Sequence, residues 1–473
     1  VIRGGVFTKM YSVVDSVCDM FNNLFRTSKS KKLTLEVSIC FLLVFSLGIP
    51  VFLKGNSFSV LVTICAVTQL TGLIAIVKSN TIRFSNVKMV YLVLFEIIGL
   101  SFMITGLYFR VLGYIAIFFV LGVIVPISHM ILHAYGEGNS LKGIASGIVM
   151  AFFIFLIISL VSGPALGADQ YFSFTSNPNI VGGLMVVVTA ALIYLLFEAK
   201  DNIKKIKIIF LIGLSTSICF FSQSRTSLIA ILMQLFVAAI VVAVRKLKYY
   251  QDENLKATIK KSIKHLLMMI IIFAVAWGTF FFSMTTVKKE ISNLLPNIQI
   301  RTESKQISLE KTLDISGARF AKGIDNRNGD AFTSGRIGIW HEFLSNIRIY
   351  GHKTEGRAIN VNGRVYHGTN AHNVYLQIAY SAGAIAGVAI LLLMLIILKD
   401  LIFKLIYFIR VGDVSNELVF FVMGYIGFFI ASLTSGGYMT YTYLPATLFW
   451  ITLFVVSIKN ERSCNDESLQ NRI

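Results

Sequence analysis

Ile180-Val-Gly-Gly-Leu-Met-Val-Val-Val-Thr-Ala-Ala-Leu-Ile-Tyr-Leu-Leu-Phe197 is a run of eighteen residues without a charge. Coiled as an α-helix it rises about 27 Å, close to the ~30 Å hydrocarbon core of a bilayer. Among single segments, only a helix satisfies its own N–H and C=O groups away from water, so the stretch reads as a membrane-spanning helix.

Similar runs recur on both sides of it. They lie near residues 33–53, 57–77, 89–109, 111–132 and 143–161 before it, and near 206–221, 226–244, 266–284, 374–398, 418–433 and 443–458 after it. The expected fold is therefore an all-α polytopic membrane protein with about twelve transmembrane helices. Composition agrees: of 473 residues, 55% are hydrophobic and 14% charged, and the mean hydropathy is +0.74. That is more apolar surface than a water-soluble core hides. No cleavable signal peptide is expected, because the first thirty or so residues are polar and basic.

The formal net charge of +19 does not point to nucleic acid, because the basic residues sit between apolar runs rather than on a soluble face. They read as topology signals and contacts for membrane lipids. Arg26, Lys29, Lys31 and Lys32 precede the first run, and alternate connections hold Lys78, Arg83 and Lys88, or Lys200, Lys204, Lys205 and Lys207. These connections belong in the cytoplasm, which puts both termini there too. The expected organisation is a tail over 1–32, nine spans over 33–284, a large extracytoplasmic loop over 285–372, three spans over 373–458 and a tail over 459–473. The loop is rich in Lys and Arg, but the positive-inside rule loses force for loops longer than about 60 residues. Its charge asks for another explanation. The five cysteines, at 18, 40, 65, 219 and 464, avoid that loop, so no disulfide framework is expected.

Four polar motifs interrupt the apolar pattern. Phe221-Ser-Gln-Ser-Arg225-Thr-Ser227 is a turn between two spans, and Arg225 would open the second helix, where free N–H groups and the dipole favour phosphate. Its plainer explanation is an interface anchor. Arg336-Ile-Gly-Ile-Trp340-His-Glu-Phe343-Leu344 has helical apolar spacing with a cation in the first turn, unfavourable for the dipole unless an anion binds; the alternative is an amphipathic helix on the membrane face. His367-Gly-Thr-Asn370-Ala-His372-Asn373-Val-Tyr375-Leu-Gln377 runs directly into a span. Its histidines have no carboxylate or cysteine between them, so no metal is expected, and a general base or helix cap suits His372 better. Asn177-Pro178-Asn179 is ordinary helix-start chemistry.

Taken in this order, the motifs resemble the bacterial O-antigen ligase and O-antigen polymerase superfamily. The Ser-Arg225 turn, the Arg336-x3-Trp340 helix and Ala371-His372-Asn373-x-Tyr375-Leu376-Gln377, running into Gly383-Ala-Ile-Ala-Gly387, carry the resemblance. Where that family usually places a Gly-x-Gly turn, this chain reads Gly351-His-Lys-Thr-Glu-Gly356.

The resemblance implies a glycosyltransferase of the bacterial cytoplasmic membrane, with its active site on the extracytoplasmic face and no cofactor. It would take an oligosaccharide from undecaprenyl diphosphate to an acceptor glycan. Catalysis would fall to His372, Arg336 and Arg225. The diphosphate and glycan would be held by the two arginines with His367, Asn370, Asn373, Trp340, Asn177 and Asn179. The acceptor is another lipid-linked repeat unit in a polymerase, or a lipid A core sugar or protein in a ligase. The Ile, Lys and Asn content suggests the AT-rich genome of a capsule-maker and tilts the expectation to polymerase, with chain-length regulator and flippase proteins as further partners. A flippase or transporter of the same lipid-linked sugars is the rival of a different class.

Overall fold

The computed structural model describes residues 31–40, 42–43, 89–126, 128, 132, 137–162, 171, 173, 175, 177–249, 255–294, 336–361, 364–411, 414–433 and 444–455. The expected span at 57–77, most of that at 33–53, both far tails and the loop stretch 295–335 lie outside these residues.

Helices α1 (Met89–Phe109), α2 (Leu112–Phe118), α3 (Glu137–Ser162), α4 (Pro178–Glu198), α5 (Asn202–Ser222), α6 (Arg225–Tyr249), α7 (Leu255–Phe282) and α8 (Lys288–Leu294) come first. After them come α9 (Arg336–Leu344), strands β1 (Arg357–Val361) and β2 (Arg364–Thr369), α10 (Val374–Ala382), α11 (Ala384–Val411), α12 (Asn416–Ser432) and α13 (Leu444–Val455). Among the described residues, seven helices are long and apolar enough to cross a membrane: α1, α3, α4, α5, α6, α7 continued to Ile291, and α11. The chain is thus a mostly helical protein with the character of a multi-pass membrane protein.

The polar connections start these helices where side-chain caps predict. Asn177 accepts from Asn179 N–H at the head of α4, with Pro178 at its first position. Asp201 accepts from Ile203 and Lys204 N–H at 3.2 and 3.3 Å to start α5. Ser415 accepts from Leu418 N–H at 3.2 Å to start α12.

Helix α4, the one read first from sequence, is the centre of the bundle. Of its apolar stretch 78% is buried against protein, whereas α7 buries 17% of its own. It packs on α3, α5, α6, α12 and α13. Inside this packing Gln234 of α6 donates from Nε2 to the Met423 carbonyl of α12 at 2.8 Å and to the Val186 carbonyl of α4 at 3.3 Å. Such a polar bridge between membrane helices contributes roughly 0.6–2 kcal/mol.

The structure departs from expectation in three details. Within a mostly helical fold, β1 and β2 pair antiparallel, from Arg357 opposite Thr369 to Val361 opposite Arg364. Asn362-Gly363, the residue pair favoured in two-residue hairpin turns, stands between them in sequence and signals the pairing. Second, the run 374–398 is not one span. It breaks at Gly383, whose φ of +103° no other residue adopts comfortably. Third, the loop does not begin at 285: α7 passes through a π-helical turn, Ser283–Val287, directly into α8.

The break at Gly383 is where the segment after α9 docks. A Cβ on Gly383 would lie 1.9 Å from the Ile349 carbonyl oxygen, and one on Gly351 would lie 2.2 Å from that of Ser381. The Ala384 N–H donates to the Arg348 carbonyl at 2.9 Å, which caps α11 from outside the helix. His352 N–H donates to Ser381 O at 3.3 Å, and the Thr105 hydroxyl of α1 donates to Tyr350 O at 2.9 Å. Two glycines therefore let an otherwise polar connection lie flat on the helical body.

Candidate functional site

The first wall of the site is the α5–α6 turn. Gln223 closes α5 in the left-handed region at φ 56°, and its N–H reaches Phe220 O at 2.9 Å. Ser224 then accepts from Leu228 N–H at 3.0 Å through its carbonyl and so starts α6 with Arg225 at the first position. The Ser224 hydroxyl donates to Asn179 Oδ1 at 3.1 Å and lies 2.9 Å from the Ser227 hydroxyl. Gly182 makes the approach possible, because a Cβ there would lie 2.6 Å from Ser227 Oγ and 2.7 Å from Ser224 Cβ. The Asn177-Pro178-Asn179 and Ser-Arg225 motifs, separate in sequence, thus form one polar corner. Asn177 caps its own helix, and Asn179 braces the turn that carries Arg225.

The second wall is α9 on α10. Phe343 and Tyr380 meet edge to face at 4.7 Å, with Ala371, Ile339 and Leu376 around them in a small apolar core. This turns Arg336, at the head of α9, and Trp340, one turn later, to half-buried positions, while Ile337 and Leu344 stay exposed. The Trp340 indole nitrogen is buried and meets no hydrogen-bond acceptor among the described residues.

His372 stands just before α10, next to its Asn373 cap. Its φ is +48°, in the left-handed region that histidine enters more readily than most residues but still seldom, and the bonds of its neighbours hold the turn. Asn373 beside it caps α10 through Leu376 N–H at 3.1 Å and donates from Nδ2 to the Leu433 carbonyl at 3.3 Å. Gln377, 1% exposed, fixes the other flank: its Oε1 accepts from Ala371 N–H at 2.9 Å, and its Nε2 reaches Glu355 O and Ser381 Oγ, both at 2.9 Å. The motif as written in sequence contains Gln377, but its role as the brace of the His372 turn emerges only from these three bonds.

Electrostatics tie the walls together. Burial pushes the Arg336 guanidinium below its usual value, and the charge of Arg225 pushes it further the same way. Burial likewise lowers the His372 imidazole below its ordinary range, and Arg336 adds to that effect. The charge of Arg225 thus reaches Arg336, and that of Arg336 reaches His372, although the three come from distant segments. They stand at or beside the N-termini of α6, α9 and α10, where helix dipoles are also positive. An anion relieves both tensions, and a neutral imidazole beside it is competent to accept a proton.

The remaining candidates divide. Asn373 is mainly a helix cap and a strut to the end of α12. Asn370 is half-buried beside the turn. His367 falls in β2, and its side chain lies outside the described residues. His352, in contrast, is spoken for: its ring stacks on Tyr380 at 3.9 Å and its Nε2 donates to Asn346 O at 2.7 Å. Among the described residues no three His, Cys, Asp or Glu side chains gather as metal ligands. A search of known proteins adds nothing to this geometry: no family model, no curated protein and no solved structure matches the chain.

Proposed function

We propose that the chain is a glycosyltransferase that moves an oligosaccharide from undecaprenyl diphosphate to the hydroxyl of another lipid-linked repeat unit at a bacterial cytoplasmic membrane. What supports the proposal is that the charge of Arg225 reaches the Arg336 guanidinium and the charge of Arg336 reaches the His372 imidazole, although the three residues come from distant segments. In the proposed reaction an acceptor O–H attacks the anomeric carbon of the donor while His372 takes its proton. The bond between that carbon and the diphosphate oxygen breaks. Undecaprenyl diphosphate leaves with the bonding electron pair, and Arg225 and Arg336 meet the growing negative charge.

The chemistry suits the residue types. Guanidinium binds phosphate oxygens in a bidentate manner and stays charged even when its pKa falls, because its ordinary value is above 12. A histidine at ordinary pKa is already half neutral near pH 6.5, and the lowered value keeps it neutral at ambient pH, where it is able to act as a base. The indole N–H of Trp340, one turn from Arg336, is a ready donor to a sugar or phosphate oxygen. The resemblance of the motifs to O-antigen polymerases and ligases supports the same substrate class, and under it the cationic end faces the extracytoplasmic side.

The test is incubation of the purified protein with synthetic undecaprenyl-diphosphate-linked repeat units, with and without lipid A core acceptor, followed by sizing of the products. A ladder without core acceptor is the expected result. Product only with core makes it a ligase. No product under either condition, with vesicles showing transbilayer movement of the same lipid, makes it a flippase and ends the transferase assignment.

A further inference from the structure

Away from the cationic corner, α3, α5 and α7 enclose a groove of about 510 Å³, lined by Phe153, Lys207, Phe210, Leu211, Ile271 and Val275 among others. All three helices belong to the set long and apolar enough to cross a membrane. The groove has a structural origin. Gly213 of α5 meets α7 closely, since a Cβ there would lie 2.8 Å from Ala276 Cβ. Moving from that contact towards the start of α5, the bulkier Phe210, Ile206 and Ile271 line an open channel instead. Its edges are lipid-facing: Ile271 is 63% exposed and Val275 56%.

Lys207 is the ionisable residue that lines the groove, its aliphatic stem contributing to an otherwise apolar wall, and both it and Lys204, one turn earlier on the same helix, are exposed. Asp201 is the nearby acid on α5, and its two carboxylate oxygens are engaged by the Ile203 and Lys204 N–H groups as the helix cap. An apolar channel within the roughly 300–1,000 Å³ of small-molecule sites, ending in a lysine at the head of a membrane helix, matches a lipid with an apolar chain and an anionic head.

We infer that this groove is a binding site for an anionic phospholipid, with one acyl chain between α5 and α7 and the headgroup phosphate on Lys207 and Lys204. The inference is independent of the transfer reaction, because the site occupies the opposite half of α5 from Arg225. A basic side chain near a headgroup contributes about 1 kcal/mol, or roughly a fivefold preference.

The experiment is native mass spectrometry of the full chain purified in detergent and equilibrated with equal amounts of phosphatidylglycerol and phosphatidylcholine. Wild type retains one phosphatidylglycerol, favoured about fivefold or more. Lys207→Gln, an exposed substitution that leaves packing intact, lowers that preference about fivefold. Leu211→Trp fills the channel and reduces retention of the bound lipid, while circular dichroism reports its helical content. Equal retention of the two lipids by wild type overturns the inference, as does a preference untouched by Lys207→Gln and by the Lys204→Gln/Lys207→Gln pair. Displacement of the lipid by glycerol 1-phosphate alone also overturns it, because the chain would then contribute nothing.

Discussion

The two ends of the bundle handle positive charge in opposite ways. At the Glu198 end, Lys142 from the start of α3 pairs with Glu198 at the end of α4, and Glu198 Oε1 also accepts from Asn416 Nδ2 at 2.6 Å. Arg245 from the end of α6 donates to Asn416 Oδ1 at 3.0 Å and to the Val414 carbonyl, with its guanidinium 4.9 Å from the Phe197 ring centre. Here carboxylate, amide and cations answer one another. At the Arg225 end, the charge that Arg336 feels is Arg225, and the charge that His372 feels is Arg336. The first arrangement ties helix ends together through opposite charges and amides; in the second, like charges act on one another near helix N-termini, where the proposed reaction would bring an anionic diphosphate.

Substitutions separate the two roles. The largest effect is expected from Arg336→Ala and His372→Ala, each lowering turnover of lipid-linked repeat units by about 10²–10⁴-fold, the range for a charge donor or a general base. Circular dichroism of both variants should remain that of wild type. If either variant still makes full-length polymer in cells, the distinction between the ends fails.

Next comes Gly383→Val. A side chain there meets the Ile349 carbonyl and a forbidden φ together, and the expected result is a loss of several kcal/mol in thermal stability, with the 348–352 segment displaced. Gly278→Ala, with open space around its position, is the matched control.

Gln377→Leu removes the brace without touching the substrate corner. Turnover should fall about 10- to 100-fold with a smaller change in KM, since a displaced base costs rate more than binding. Equal changes in both would mean that Gln377 holds the fold and not the base. At the other end, Glu198→Gln should leave turnover within about twofold and lower stability by only about 1 kcal/mol, because Lys142 is 47% exposed and solvent screens the pair.

The smallest effect is in pH. A lowered His372 pKa means that the imidazole stays neutral until the medium is more acidic than for an ordinary histidine, about 6.5. Activity is therefore full above that value and lost as pH falls through a lower one. An acid limb of kcat/KM above pH 6.5 would show that a different base, or a less buried histidine, does the work.

What was legible in the sequence follows physical reach. Helices α1, α3, α4, α5 and α6 correspond to strongly apolar runs because hydropathy acts on each segment by itself, and Asn177, Asp201 and Ser415 mark starts because a cap bond spans only two or three residues. The break at Gly383 was hidden inside an apolar run. It is a glycine in a stretch rich in small residues, and only the approach of the Ile349 carbonyl from a segment more than thirty residues earlier explains it. The β1–β2 hairpin left one local signal, Asn362-Gly363, overshadowed by the length of the loop.

By itself the sequence determined a helical, lipid-embedded protein and the side chains able to bind an anion or move a proton, because hydropathy, helix capping and side-chain chemistry are properties of short segments. Tertiary structure decided that Asn179 braces the Arg225 turn, that Gln377 holds the backbone beside His372, that His352 is committed to Tyr380, and that the charge of Arg225 reaches Arg336 and that of Arg336 reaches His372. Those outcomes depend on which helices pack together and how closely, and glycines at 182, 351 and 383 set that closeness through contacts between residues far apart in the chain.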